Sequence, residues 1–213
     1  MKRSAFDIHT WKYDLWYDKN PAVYASELDA IRELMPSKIA HNSIEIGVGT
    51  GRFASELCIT YGLDPSARML KIAGSRKVEC IKGVGESLPF KGSSMKLVLM
   101  VTSLCFMDAE KALEEAYRML APEGSLIVAF VERNSLLGQE YRKKASESSF
   151  YKNIGFHTTE EVLSMLKEHG FEDMHIRQTL FKPLDRIQDM EKPEKDFGKG
   201  SFAVIRARSI KHK

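Results

Sequence analysis

The sequence has few cysteines and no long apolar run. Its three cysteines, Cys58, Cys80 and Cys105, stand far apart among 213 residues. An odd number of isolated cysteines argues against a disulfide framework or a zinc site and predicts a reducing, cytoplasmic compartment. We expect Cys58 and Cys80 to be small core residues, because free cysteine buries readily. No apolar run approaches the roughly 18–20 residues of a membrane span, and no signal peptide is predicted.

Strong net charge is also lacking. The formal net charge of +3 is too small to indicate a nucleic-acid partner, and none is predicted. The six histidines are scattered without the spacing of metal ligands, so we predict no metal site. A length of 213 residues suits one well-buried domain, as a monomer or a homodimer.

A glycine motif is the feature around which the chain is organised. The apolar run Ile44–Val48 predicts a buried strand, and Gly47, Gly49 and Gly51 then predict a tight turn into a helix that starts near Arg52. Glycine has no Cβ and tolerates positive φ, so a ligand can lie directly against this backbone. The free N–H groups of the following helix favour an anionic group at the same place. Strand, glycine turn and helix in this order predict a nucleotide-cofactor site.

Strands and helices alternate from residue 43 to residue 131, which predicts a three-layer, doubly wound α/β fold. Residues 1–38 form a separate N-terminal segment that is rich in aromatics and is predicted to be a helical flap, and residues 39–213 form the main domain. Residues 132–157 are polar and predict an excursion over the active edge. The chain closes with the alternating segments Met174–Phe181 and Ser201–Arg208, an antiparallel pair. We therefore predict a seven-stranded, mostly parallel sheet with an antiparallel last strand.

Two cofactors compete for the glycine turn. Gly49–Ala54 fits the G-x-G-x-x-A pattern of dinucleotide sites, which by itself is weak. Asp64 closes the second strand and would accept hydrogen bonds from ribose hydroxyls in either case. An NAD(P)-dependent reductase therefore stays open at this point.

Three further features separate the two cofactors. The glycines run G-x-G-x-G after Glu45, the third strand is followed by Gly85–Phe90, and the sheet ends in antiparallel strands. With the segments Leu63–Ser66 and Ala112–Gly124, these stretches resemble the class I S-adenosylmethionine-dependent methyltransferases, in the broad type-11 group that includes quinone-biosynthesis-like enzymes. The resemblance is close over residues 40–131. It implies a Rossmann-like methyltransferase fold, S-adenosylmethionine as cofactor, S-adenosylhomocysteine as product and no metal.

The resemblance also implies which residues hold the cofactor. Those on the first two strands and after them are Glu45, Gly47, Val48, Gly49, Gly51, Asp64, Pro65 and Met69. Those after the third and fourth strands are Val84, Gly85, Glu86, Thr102, Ser103 and Leu104. Glu45 and the glycines would face the amino-acid end, and Asp64 would hold the ribose hydroxyls. Val84 replaces the Asp that many relatives carry, so adenine contacts there would come from the backbone.

The acceptor is left open by the sequence. An acceptor N, O, S or C would attack the methyl group in line, and a histamine-like amine is one small-molecule candidate. Position suggests an acceptor pocket built from Tyr13, Trp16, Cys105, Phe106, Arg133 and Tyr151. No residue pair is recognisable as a general base, so the catalytic residues are not predicted. A cofactor-binding protein without catalysis, or a regulatory subunit, is the alternative from another class.

Overall fold

Eight strands of the described residues form one mixed sheet in the order β3-β2-β1-β4-β5-β8-β6-β7. The computed structural model describes residues 5–37, 41–145 and 154–211. Within these ranges, side chains are described from residue 10 onward, except that of Ala145. The strands are β1 Ser43–Ile46, β2 Tyr61–Asp64, β3 Glu79–Lys82, β4 Met95–Val101, β5 Leu120–Val131, β6 Phe171–Thr179, β7 Glu194–Lys195 and β8 Phe202–Ser209. The helices are α1 Ala5–Lys19, α2 Pro21–Arg32, α3 Arg52–Glu56, α4 Ala67–Ser75, α5 Ala109–Met119, α6 Leu136–Ala145 and α7 Thr159–Glu168.

The pairing directions confirm the predicted fold class. Strands β1 to β5 pair in parallel, and β8 lies antiparallel between β5 and β6. The sheet has eight strands where seven were predicted, because the two-residue strand β7 pairs with β6 at residues Arg177 and Gln178. This short pairing adds an edge and leaves the mostly parallel centre unchanged.

The centre of the sheet is buried on both faces. Along β4, Leu97, Leu99 and Val101 belong to a core cluster that includes residues of α1, α2, α3, α4 and α6. Val98 and Met100 alternate with them and belong to a second cluster with residues of α5 and α7. A strand covered by helices on both sides is apolar without alternation, which explains the continuous run in the sequence.

Local signals account for where several helices begin. Pro21 occupies the first position of α2, directly after Asn20. Helix α7 begins with the predicted capping box: the N–H of Glu161 donates to Oγ1 of Thr158 over 3.2 Å, and the N–H of Thr158 donates to Oε2 of Glu161 over 3.0 Å. These two bonds satisfy N–H groups that have no partner within the helix.

The prediction about two of the cysteines was wrong. Cys58 and Cys80 are both exposed and not in the core. Cys58 has a φ of +55° in the turn after α3, and Cys80 lies on β3 at the edge of the sheet, where β3 pairs only with β2 among the described strands. The segment 132–157 contains helix α6, which its polar composition did not predict.

Candidate active site

The predicted cofactor residues lie at one edge of the sheet. They lie at or just after the carboxyl ends of β1, β2, β3 and β4, which are parallel neighbours. The strand order reverses between β1 and β4, since β2 extends the sheet on one side and β5 on the other. In open α/β sheets a crevice forms at such a reversal, and it is the place where ligands bind.

The glycine turn presents bare backbone at this crevice. Gly47, Gly49 and Gly51 all have positive φ, at +73°, +53° and +78°. A Cβ on Gly47 would lie 2.4 Å from Cβ of Ser103, so the turn touches the loop after β4. A Cβ on Gly49 would meet nothing nearer than a Tyr13 ring carbon at 3.6 Å. The turn therefore leaves space on one side of Gly49, which a ligand can use.

Asp64 connects the ends of two strands. Its side chain is buried, with Oδ2 accepting from the N–H of Gly49 over 3.0 Å and Oδ1 accepting from the N–H of Ser66 over 2.8 Å. The carboxylate thus fixes the glycine turn against the start of α4. A carboxylate offers about four acceptor positions, so it can hold these donors and ligand hydroxyls together.

Glu45 is an unusual residue for the middle strand of a sheet. Its side chain is 2% exposed, and within the described part of the chain its Oε2 has no hydrogen-bond partner. Burial raises the pKa of Glu45 well above its usual range, a hydrogen bond from the Ala54 backbone opposes the rise, and the charge of Asp64 adds to it. A buried polar atom without a partner is costly in a native fold. It is the kind of atom that an ammonium or a hydroxyl of a ligand satisfies.

The side chain of Glu86, in the loop after β3, has a partner within the fold. The Glu86 carboxylate accepts a hydrogen bond of 2.9 Å from the N–H of Asp108, the N-cap residue of α5. Val84 is exposed, and Gly85 is buried where a Cβ would lie 2.5 Å from the sulfur of Met107. The cofactor role of these residues stays a prediction.

The remaining predicted cofactor residues occupy different surroundings. Pro65 is exposed at the crevice edge, while Met69 and Val48 are buried. Met69 donates its N–H to Oγ of Ser66 over 3.2 Å, which caps α4. Thr102 has a φ of +48° and donates its N–H to the carbonyl of Ala129 over 2.7 Å, so it turns the chain away from the sheet.

A cavity of about 340 Å³ opens beside this crevice. Its aromatic walls come from four parts of the chain: Tyr13, Trp16 and Tyr17 of α1, Phe106 and Phe130 near the ends of β4 and β5, Tyr141 of α6, and Phe156. Its other lining residues are Lys12, Glu27, Thr102, Leu104, Cys105, Val131, Leu137, Ile154 and His157. Thr102 and Leu104 are also predicted cofactor residues, so the two sites share a wall.

The structure brings four of the six predicted acceptor residues together in this cavity: Tyr13, Trp16, Cys105 and Phe106. Arg133 is not among the lining residues; its guanidinium pairs with Glu161 over 2.7 Å, and its N–H donates to the His157 carbonyl. Tyr151 lies outside the described residues. Burial raises the pKa of the Cys105 thiol to about 12, so Cys105 is protonated at neutral pH.

Helix α1 is held against the glycine turn by an ion-pair network. Asp14 accepts from Nε of Arg52 over 2.9 Å and from Nη2 of Arg76 over 3.0 Å, and Arg76 also donates to the Thr50 carbonyl over 2.7 Å. Burial opposes ionisation of Asp14, but the two guanidinium groups outweigh it and lower its pKa to about 2. Asp14 thereby fixes the position of Tyr13 and Trp16 relative to the turn.

The two tyrosines of α1 that line the cavity are paired. The hydroxyl groups of Tyr13 and Tyr17 lie 3.0 Å apart, and Tyr13 also hydrogen-bonds to the Thr102 side chain. Burial raises the pKa of Tyr13 to about 12 and also raises the pKa of Tyr17 well above its usual range. Both are neutral hydroxyl groups at physiological pH.

The sequence interpretation missed Glu27 and His157. Glu27 lies on α2, is 5% exposed, and burial raises its pKa to about 8. His157 lines the same cavity, and burial lowers its pKa. The spacing of Glu27 in the sequence indicates that it is buried, because Val23, Glu27 and Ile31 follow one another every fourth residue on the buried face of α2.

Among the described residues, no group of three or more His, Cys, Asp or Glu side chains is placed to hold a metal ion.

Comparison with known proteins identifies relatives over the whole chain. A family model for a methyltransferase domain matches residues 44–128. An uncharacterised protein of Methanocaldococcus jannaschii is 39% identical over 208 residues, which are 97% of this chain and 100% of that protein. The matched domain contains the glycine turn, Asp64 and the loop after β4.

Solved structures with the same fold extend the comparison. The crystal structure of a Thermotoga maritima protein, described as an S-adenosylmethionine-dependent methyltransferase and possible histamine N-methyltransferase, has a TM-score of 0.90 and 43% identity over 96% of this chain and 97% of that one. Phosphoethanolamine N-methyltransferase 2 of Haemonchus contortus, in complex with S-adenosylmethionine, has a TM-score of 0.70 at 18% identity, over 96% of this chain and 57% of that one. The second similarity is one of fold alone.

Proposed function

The chain belongs to the class I S-adenosylmethionine-dependent methyltransferases, and we propose that it transfers the methyl group to a small-molecule acceptor bound in the aromatic cavity. The observation that carries this proposal is the position of that cavity. It shares Thr102 and Leu104 with the predicted cofactor site, and Tyr13 reaches from its wall to the glycine turn. An acceptor there would lie next to the transferable methyl group.

The residues of the crevice fit the proposed cofactor. S-adenosylmethionine supplies an activated methyl group on a sulfonium and presents an amino-acid end, a ribose and an adenine. The unpartnered Oε2 of Glu45 suits the ammonium of the amino-acid end, and the buried carboxylate of Asp64 suits the ribose hydroxyls. The open side of Gly49 allows the ligand to lie directly against the protein backbone. No phosphate site is required, in contrast to a dinucleotide.

The protein's contribution to methyl transfer would be positioning and exclusion of water. The aromatic walls remove solvent from the acceptor, and Tyr13 and Thr102 offer hydrogen bonds where the two sites meet. Holding two reactants about 3–3.5 Å apart in the right orientation can supply most of the acceleration of such a transfer. The cavity volume of about 340 Å³ suits a small molecule and not a folded macromolecule.

A histamine-like amine is the first acceptor to test. The similar Thermotoga maritima protein is described as a possible histamine N-methyltransferase, at 43% identity.

We further propose that the protein acts in the cytoplasm as a monomer or homodimer, without nucleic acid or membrane as partner. Its three free cysteines support a reducing compartment. In the described part of the chain, no helix is both long and apolar enough to cross a membrane.

The test is a methyl-transfer screen with radiolabelled S-adenosylmethionine over amines, thiols, phenols and quinones. We expect transfer to a small acceptor, and we expect Trp16→Ala to reduce it at least tenfold. Trp11→Ala is the matched control, since Trp11 lies on the same helix but is 61% exposed and outside the cavity. Equal turnover by both tryptophan variants would refute the acceptor cavity. Failure of the wild-type protein to bind S-adenosylhomocysteine by calorimetry would refute the cofactor site.

A further inference from the structure

We propose that the methyl acceptor is a primary or secondary amine on an apolar body, and that the Glu27 carboxylate binds its ammonium group and accepts the proton that must leave before methyl transfer. This inference rests on the proposed function and assigns the acceptor class of the same site. It also gives the site a catalytic residue.

The first support is the isolation of Glu27. It is the one carboxyl group among the described residues that line the cavity, and its side chain is 5% exposed. No hydrogen bond or ion pair of the described residues involves its carboxylate. A lone carboxyl in an apolar wall costs free energy unless a partner neutralises it, and buried charges in native proteins are normally paired. A cationic ligand would provide that partner.

The second support is the composition of the surrounding wall. Trp16 and Tyr17 of α1 line the cavity together with Glu27 of α2. Aromatic faces attract a cation through their quadrupole, and the attraction grows when the cation is desolvated. A single carboxylate among aromatic rings is therefore a site for an organic ammonium, with the apolar body of the acceptor against the rings.

The proton and electron balance is complete without another reactant. The ammonium transfers one proton to the Glu27 carboxylate, which leaves a lone pair on the nitrogen. That lone pair forms the new N–C bond, and the electron pair of the broken S–C bond stays on sulfur. Glu27 then gives its proton to solvent when the products leave. The net result is one methylammonium, one S-adenosylhomocysteine and one released proton for each cycle.

The proton affinity of Glu27 suits this role. Burial raises its pKa to about 8, so it can take up and release a proton near neutral pH, as a general base must. The other titratable groups of the wall are Lys12, Tyr13, Tyr17, Cys105, Tyr141 and His157, and Glu45 acts on Tyr13 and Tyr17 from β1. Tyr13, Tyr17 and Cys105 are neutral at this pH, and burial also disfavours a charge on His157. Among the described lining residues, Glu27 is therefore the one carboxyl group placed to take this proton.

Proton release on binding tests the inference directly. The S-adenosylhomocysteine complex is titrated at pH 7 with 2-phenylethylamine or histamine, in two buffers of different ionisation enthalpy. A protonated Glu27 that meets an ammonium must lose one proton, so we expect release of nearly one proton per amine bound. The neutral probes 2-phenylethanol and 2-phenylethanethiol should release none. Binding of the amines no tighter than that of the neutral probes would overturn the inference.

The variant Glu27→Gln keeps the shape and removes the acid. We expect it to abolish the proton release, to weaken amine binding at least tenfold, and to shift the pH profile of amine methylation upward toward the pKa of the amine. Asp29→Asn, on the same helix but outside the cavity, should change none of these. Thermal melting shows whether each variant is folded, and Glu27→Asp provides a second variant that keeps the acid in a displaced position.

The outcomes separate the two proposals. Wild-type protein that binds S-adenosylhomocysteine and methylates only thiols or phenols would overturn the amine assignment and leave the proposed function intact. Unchanged turnover and pH profile in Glu27→Gln would equally overturn the role of Glu27. Absence of S-adenosylhomocysteine binding in the wild-type protein would overturn both.

Discussion

The Ser103 hydroxyl donates a hydrogen bond of 2.7 Å to the carbonyl oxygen of Ile46. This bond ties the loop after β4 to the last residue of β1, across the point where the strand order reverses. The same serine lies against Gly47, where an added Cβ would be 2.4 Å from its own Cβ. The cofactor crevice is therefore closed on one side by a serine that fits only beside glycine.

Replacing Gly47 by alanine should damage this crevice. The variant has a side chain at a φ of +73° and collides with Ser103, so we expect a loss of about 3 kcal/mol or more from strain and overpacking. Gly198→Ala is the control: its φ is +97°, but nothing lies within 4 Å of the added Cβ, so about 1 kcal/mol is expected. Urea unfolding and S-adenosylhomocysteine titration measure both. Equal losses would show that the Ser103 contact is unimportant.

Asp64→Ala should weaken S-adenosylhomocysteine binding by about 1.5–3 kcal/mol, since charged hydrogen bonds to the ribose would be lost. The variant also removes the acceptor for the N–H groups of Gly49 and Ser66. Ser66→Ala separates the two effects, because it removes the cap of α4 at a cost of about 1 kcal/mol in stability and leaves the carboxylate. Calorimetry should find binding reduced in the first variant only. An unchanged affinity of Asp64→Ala would refute the ribose assignment.

The stability of the protein should fall with rising pH because of Glu27. Its pKa is raised from 4.5 to about 8 by burial, so between these values the unfolded chain has released the proton that the folded protein retains. Unfolding is therefore favoured progressively from pH 4.5 to pH 8, by at most about 5 kcal/mol, and the loss levels off above pH 8. Glu27→Gln should melt at a higher temperature than the wild type at pH 8.5 and at a similar one at pH 4. A difference independent of pH would contradict this account.

Asp14→Ala should loosen α1. The variant removes the acceptor of two guanidinium groups, which we expect to cost about 2 kcal/mol. Asp18→Ala is the matched control, because Asp18 pairs only with Arg52 among the described residues and is more than half exposed, so less than about 0.5 kcal/mol is expected. Hydrogen exchange of the α1 amides at pH 7 reports the difference.

Acid should remove the contribution of Asp14. Its pKa is lowered from 3.8 to about 2, so the stabilisation is complete above pH 4 and is lost as pH falls through 2. The difference in melting temperature between the wild type and Asp14→Ala should therefore shrink on going from pH 5 to pH 2. A constant difference would indicate packing and not charge.

The sheet was predictable because its signals are local. Continuous apolar runs mark the central parts of β4 and β5, the glycine turn marks the end of β1, and the pair Thr158 and Glu161 marks the start of α7. Helix α6 was missed because Leu137 and Tyr141 are its few inward apolar residues in a strongly polar segment. The extent of β5 was also missed: it begins at Leu120, which pairs with Met95 of the neighbouring strand, a contact that local composition does not encode.

The site was predictable only in part. The glycine turn and Asp64 carry sequence signals, and the structure places them together. The burial of Glu27 depends on how α1 and α2 lie against the sheet, and a carboxyl at one position of a helix does not reveal that it faces a cavity. Likewise, the hydrogen bond from Asp108 to Glu86 joins residues 22 positions apart and could not be read from either segment.

The buried carboxyl of Glu27 also has a consequence for the evolution of this chain. Selection for heat resistance alone would replace Glu27 by an uncharged residue, because its ionisation favours the unfolded chain at neutral and alkaline pH. Selection for amine methylation would retain it. Of two copies of one library, the copy screened for survival of heating should therefore lose Glu27 and the copy screened for turnover should keep it, which makes this position a marker of which pressure a lineage has experienced.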